Sequence, residues 1–443
     1  MQKHVRWLHE ELQFWVRDGV VSEAQAQQIQ NRYPNPKTLP WATIVFSGLG
    51  SFILGLGVIL LFAHNWHLIP RFGKLALIFG LLLGTYYGGL RLFWNHPGYR
   101  GLGESLTILG TMFFGAGIWL VAQIYHLDAH YPNAFLVWGV GAFLMAWSLP
   151  SVGQGLMAVV LLTIWSLSEA WKFHYPAHFV LLMMVALGIL AWKERSALLL
   201  TLSTLSFILN FSFLIGILHS YELIWIGSCL SLATFFVALS RILQNSVFPP
   251  AARVFSFFGW SLGCGVMYYL TFSVRHNYLF WNRERPEIMP VIYLIILVLL
   301  ATIAWIHWVR LIRQNKSPFI LADVLLPLTA LLILTWIYLP QTPVNPYGDY
   351  REMSFKDSYA VMSFNLVFLA LAISIMARGC REVQLKPTIF GALLLIALAL
   401  ARYTDLFQSL VTRGEVFIVV GLVLFLEGFF FTRARKQLQR VSA

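Results

Sequence analysis

The chain has 443 residues, of which 58% are apolar and only 11% charged. A soluble protein carries roughly 25% charged residues, so this deficit excludes a water-soluble enzyme and places the chain in the membrane class. The net charge of +12 is dispersed through short loops. That excludes a nucleic-acid-binding face and reads as topogenic charge, with anionic lipid headgroups as counter-ions.

Residues 1–40 read as a small helical appendix on the cytoplasmic side. Val5, Leu8, Leu12, Trp15 and Val16 form one stripe at helical spacing, which Asp18-Gly19 ends. Ser22-Glu23-Ala24-Gln25 matches a capping box and starts a second helix through about Asn31, broken by Tyr33-Pro34-Asn35-Pro36. Glu10, Glu11, Asp18 and Glu23 offset the basic residues, so residues 1–36 suit a cytoplasmic protein partner and not DNA. No secretory leader is read here, so the first apolar run is expected to be a retained span.

From Ile44 the chain repeats one pattern, an apolar run of about twenty residues, a polar turn and another run; twenty residues cross a ~30 Å hydrocarbon layer as a helix. The first turn carries His64, Asn65, Trp66 and His67 and is closed by Pro70, Arg71 and Lys74. Spans are predicted over 43–63, 74–94, 105–125, 133–149, 152–169, 177–192, 197–218, 223–243, 254–273, 290–309, 321–339, 359–377, 387–402 and 415–432. The expected fold is therefore all-α, a polytopic bundle of about fourteen transmembrane helices. It occupies 41–433, between the appendix and a basic cytoplasmic tail at 434–443. Assigned to alternate loops, about two thirds of the basic residues fall on the side of the N-terminus, which puts both termini in the cytoplasm.

Small residues at every fourth position mark expected helix contacts: Ser47, Ser51 and Gly55; Gly80, Gly84 and Gly88; Gly259 and Gly263. A short repeat relates Gly55-Leu56-Gly57 through His67-Leu68 to Gly115-Ala116-Gly117 through His126-Leu127, as in transporters built from duplicated hairpins. Cys229 and Cys264 fall in apolar runs and Cys380 in a basic loop, with no CxxC, so all three read as free thiols.

Three groups of residues carry possible chemistry. In an extended segment His126, Asp128 and His130 face one way and suit a divalent metal, although histidine is also common at interfaces for its apolar body and polar tip. The outer loop Gln341–Ser358 is stiffened by Pro340, Pro343 and Pro346 and displays Asp349, Tyr350 and Arg351, a surface for ligand or partner contact or a solvated connection. Asn210, Asn365 and Glu427 lie within apolar runs, where polar groups are costly and mark substrate paths; Glu427 also sits close enough to Arg433 to pair with it. No Walker, HExxH or GxSxG pattern is present, so neither an enzyme nor a cofactor is indicated.

The stretches Leu12 to Gln28 (LQFWVRDGVVSEAQAQQ), Gly55 to Trp66 (GLGVILLFAHNW) and Gln123 to Leu127 (QIYHL) resemble a bacterial family of multi-span membrane proteins, domain of unknown function 2157. The loop from Gly348 to Phe355 (GDYREMSF) is similar to a GDYxxLxY motif, with Met353 and Phe355 in place of Leu and Tyr. The resemblance implies a bacterial inner membrane and no particular activity. Two functions follow as expectations: a transporter or flippase of lipid-linked substrates, or a scaffold or sensor using residues 1–36 and the 341–358 loop. The first expects a water-filled central cavity lined by Asn210 or Asn365.

Overall fold

The computed structural model describes residues 11–12, 14–32, 70–95, 99–126, 130–217, 222–272, 288–314, 321–338, 355–382 and 384–405. Predicted spans 43–63 and 415–432, the 434–443 tail and most of the 341–358 loop lie outside them. Every regular element among the described residues is helical. The helices are α1 (Glu23–Arg32), α2 (Arg71–Asn95), α3 (Arg100–Ile124), α4 (Pro132–Ser148), α5 (Val152–Ser168), α6 (His178–Lys193) and α7 (Ala197–Ile217). They continue as α8 (Glu222–Ile242), α9 (Pro249–Leu270), α10 (Ile288–Arg313), α11 (Leu321–Tyr338), α12 (Phe355–Arg381) and α13 (Leu385–Asp405). Among the described residues, 7 helices are long and apolar enough to cross a membrane; α4, α6 and 385–401 are apolar but shorter. The chain divides into two compact units, Met1–Ala129 and His130–Ala443.

In the first unit the capping box forms as its spacing requires. The Gln25 N–H donates to Ser22 Oγ at 3.3 Å, and the Ser22 N–H donates to Gln25 Oε1 at 3.1 Å. Gly19, at φ 70, makes the left-handed turn before it. Helices α2 and α3 then pack backbone to backbone. A Cβ on Gly103 would stand 2.6 Å from the Phe93 nitrogen and 2.7 Å from the Gly89 carbonyl oxygen, so only hydrogen fits there. Tyr86 Oη and Thr111 Oγ1 share a hydrogen bond of 2.8 Å across the same contact. The expected ridge of Gly80, Gly84 and Gly88 does not make this contact: none has a described neighbour within reach of a Cβ. The close face is one residue around the helix, at Gly89.

In the second unit α8 is the central element, packed by α9, α10 and α11. Among its apolar residues lie four buried hydroxyls, three of which serve their own helix: Ser231 Oγ donates to the Gly227 carbonyl and Ser240 Oγ to that of Val237, both at 2.7 Å, and Thr234 Oγ1 to that of Ser231 at 2.8 Å. A polar side chain bonded this way can be buried without a partner on another helix. The Gly259–Gly263 pair does lie in a tight contact, against Val237 and Ala233 of α8 and Leu326 of α11. Helix α9 starts at Pro249, five residues before the predicted boundary of 254, because Pro249 and Pro250 occupy positions where a missing N–H costs nothing. Helix α5 ends in a π-helical turn, Glu169–Phe173, followed by His174 at φ 50. Pro327 lies inside α11. All three cysteines are free and buried; Cys380, expected in a loop, closes the last turn of α12.

Candidate functional site

The second unit contains a cavity of about 480 Å³ between α6, α7, α8 and α10. Val185, Gly188 and Ile189 form one wall, Leu232 and Leu239 another, and Leu297 and Leu300 a third. Ser203 and Thr204 of α7 also line it, but their hydroxyls donate to the Leu200 carbonyl at 3.1 and 2.7 Å. The wall is thus apolar in effect. At one end Trp192 and Leu243 line it, beside the α6–α7 turn. Toward the other end His178 Nδ1 and Tyr293 Oη lie 2.5 Å apart and tie the starts of α6 and α10 together.

A polar seam runs beside this groove between α5 and α7. Thr163 Oγ1 and Ser206 Oγ are 2.6 Å apart. Ser166 Oγ donates to Asn210 Oδ1, and Asn210 Nδ2 donates to the Ser206 carbonyl at 2.8 Å and to Ser206 Oγ at 3.1 Å. Asn210, read in the sequence as a mark of a substrate path, is therefore engaged by neighbouring helix side chains and does not line the cavity. Asn365 does not line it either; it is half-buried and its Nδ2 donates to the Thr271 carbonyl at 3.4 Å.

The π turn sets Glu169, 4% exposed, against the start of α4, where its Oε1 meets His130 Nε2 at 2.6 Å. The His130 ring packs edge-on to Phe173 at 3.9 Å, and the Lys172 ammonium lies 4.9 Å from the centre of the Tyr131 ring. His126 belongs to the first unit and is exposed, at φ 47. Asp128, Asp349, Tyr350, Arg351 and Glu427 lie outside the described residues. Among the described residues no group of three His, Cys, Asp or Glu gathers as a metal site would require.

At the end of the second unit that carries the α6–α7 turn, a buried ion pair joins α8 to α11. Arg241 Nε donates to Asp323 Oδ2 at 2.8 Å and Nη2 to Oδ1 at 2.9 Å, a two-pronged pair with side-chain exposures of 11% and 1%. Sequence reasoning counted Arg241 among loop charges and passed over Asp323 and Glu169. The available signal was that both acids fall at the margin of an apolar run, where burial forces a partner.

Residues 13–153 match the family model described as Predicted membrane protein (DUF2157), a span that includes α2 to α4 and the appendix from Gln13. No curated protein and no solved structure matches the chain.

Proposed function

We propose that this protein handles a lipid-linked or other long-chain amphipathic substrate within the membrane, in the manner of a flippase, and that its second unit receives the apolar part. In this reading the chain crosses a bacterial inner membrane about fourteen times with both termini in the cytoplasm. The observation that supports it is the apolar groove between α6, α7, α8 and α10. A transporter of polar solutes needs free donors and acceptors, or a counter-charge, at the centre of the membrane. Here the Asn210 amide is engaged by Ser166 and Ser206 and the groove hydroxyls by Leu200, which leaves surface suited to a hydrocarbon tail. The capped helix α1 supports a second reading, a scaffold that holds a cytoplasmic partner through residues 1–36 and a periplasmic one through 341–358.

The test is reconstitution into vesicles whose lipids carry a quenchable fluorophore. Protein-containing vesicles should lose the signal of the protected leaflet within minutes of adding an impermeant quencher. A rate equal to that of protein-free vesicles, with several lipid classes tried, would exclude translocation and leave the scaffold reading.

A further inference from the structure

We propose that the groove holds one acyl chain of an anionic phospholipid, with the headgroup phosphate placed at the end where α6 turns into α7. This rests on the lipid-handling reading above and adds the class of ligand and the direction in which it lies. Three features of the molecule lead to it. The first is the rim. Val185 is 50% exposed, Ile189 49% and Leu300 41%, all on apolar helices, so the groove opens sideways. An acyl chain already in the bilayer enters without leaving hydrocarbon.

The second is the interior, whose only described polar side-chain groups besides the Trp192 indole are the two hydroxyls bonded to Leu200. A phosphate has nothing to bond there and must stay at an end. The third is the α6–α7 turn. It closes with the Ser196 N–H on the Ala191 carbonyl at 2.9 Å and the Arg195 N–H on the Trp192 carbonyl at 3.2 Å. This six-to-one, five-to-two pattern ordinarily places glycine at the left-handed position. Here Arg195 occupies it at φ 51, one turn beyond the groove-lining Trp192. A non-glycine residue is uncommon in this conformation, which points to a role for its side chain. Arg195 is exposed and makes no ion pair among the described residues. Lys193 lies 4.7 Å from the centre of the Trp147 ring. Against these cations the turn itself holds one acid, Glu194, since Asp323 is engaged by Arg241. The surplus favours a phosphate with net negative charge over a zwitterion.

The experiment uses the full chain in detergent with a phosphatidylglycerol carrying a diazirine in its acyl chain. After illumination, adducts should concentrate on 185–189 and 232–239. Unlabelled phosphatidylglycerol should compete about fivefold better than phosphatidylcholine, the factor one basic residue near a surface supplies. Arg195→Gln should remove that difference and leave the adduct positions unchanged. Gly188→Phe should abolish the adducts by filling the groove; a Cβ at Gly188 meets only Leu200 Cδ1 and Ser203 Oγ, both at 3.9 Å. Adducts spread evenly over the exposed apolar helices, or a groove sealed by a second copy of the chain in a crosslinked dimer, would overturn the proposal. So would equal competition by the two lipids in the parent protein. Binding as expected without translocation in vesicles would sink the flippase reading and leave this one standing.

Discussion

The two units hold their helices together by different means. In α2 only 6% of the apolar window is buried, and what joins it to α3 is the absence of side chains at Gly89 and Gly103 together with the Tyr86–Thr111 hydrogen bond. In α8 the corresponding share is 72%, and the contacts combine interlocked side chains with a buried ion pair. In lipid no hydrophobic drive separates these two solutions, since an apolar surface loses little by facing acyl chains. The first unit thus depends on shape at a few positions and a neutral hydrogen bond, and the second also on a buried charged pair whose members must find each other.

Breaking the second unit's ion pair should have the largest effect. Asp323→Ala leaves a guanidinium buried without its partner, and the expected cost is about 3–5 kcal/mol. Unfolding can be followed with a thiol-reactive dye, because Cys229, Cys264 and Cys380 are all free and buried in the folded chain. Replacing both partners, Arg241→Met with Asp323→Leu, should recover most of the loss; if it recovers none, the pair is not what holds α8 to α11.

Shape in the first unit comes next. Gly103→Ala drives a methyl into backbone atoms of α2, and a loss of about 1–3 kcal/mol is expected. Gly84→Ala meets nothing described and should leave the melting curve in place. Equal effects would erase the distinction between the close face and the open one.

The polar seam is worth less per bond. Asn210→Leu should cost about 0.6 kcal/mol, the average for side-chain hydrogen bonds within membranes, and no more than about 1.7, because Ser166 and Ser206 can turn to their own helix carbonyls. A small and local effect is expected from Glu169→Gln, which keeps a hydrogen bond to His130 and exchanges a charge for an amide. A change of about 1 kcal/mol or less is expected, read as earlier proteolysis at the 169–175 turn and not as global unfolding.

The helices themselves were legible because hydrocarbon thickness imposes length and composition on each segment in isolation. Helices α6 and α7 fall within a residue of their predicted bounds. What could not be read was which face of a helix meets which neighbour. Gly88 and Gly89 are adjacent in sequence and differ by 100° around α2, and only the partner helix decides between them. Arg241 looked like any other loop cation because its acid lies 82 positions away. Asn210 stands out in its apolar run, but its partners Ser166 and Ser206 are two small residues with nothing in their own spacing to mark them. The apolar groove left no signature, since its wall is made of the same residues as a lipid-facing surface.

Pro327 sits four residues beyond Asp323, so the bond that would tie its nitrogen to the Asp323 carbonyl cannot form. The opening turn of α11 consequently lacks one lengthways bond and gains a sideways one, from the guanidinium of α8. A bend at the proline would swing the remainder of α11 while that clamped turn stays still, giving the bundle a pivot whose fixed point is an arginine.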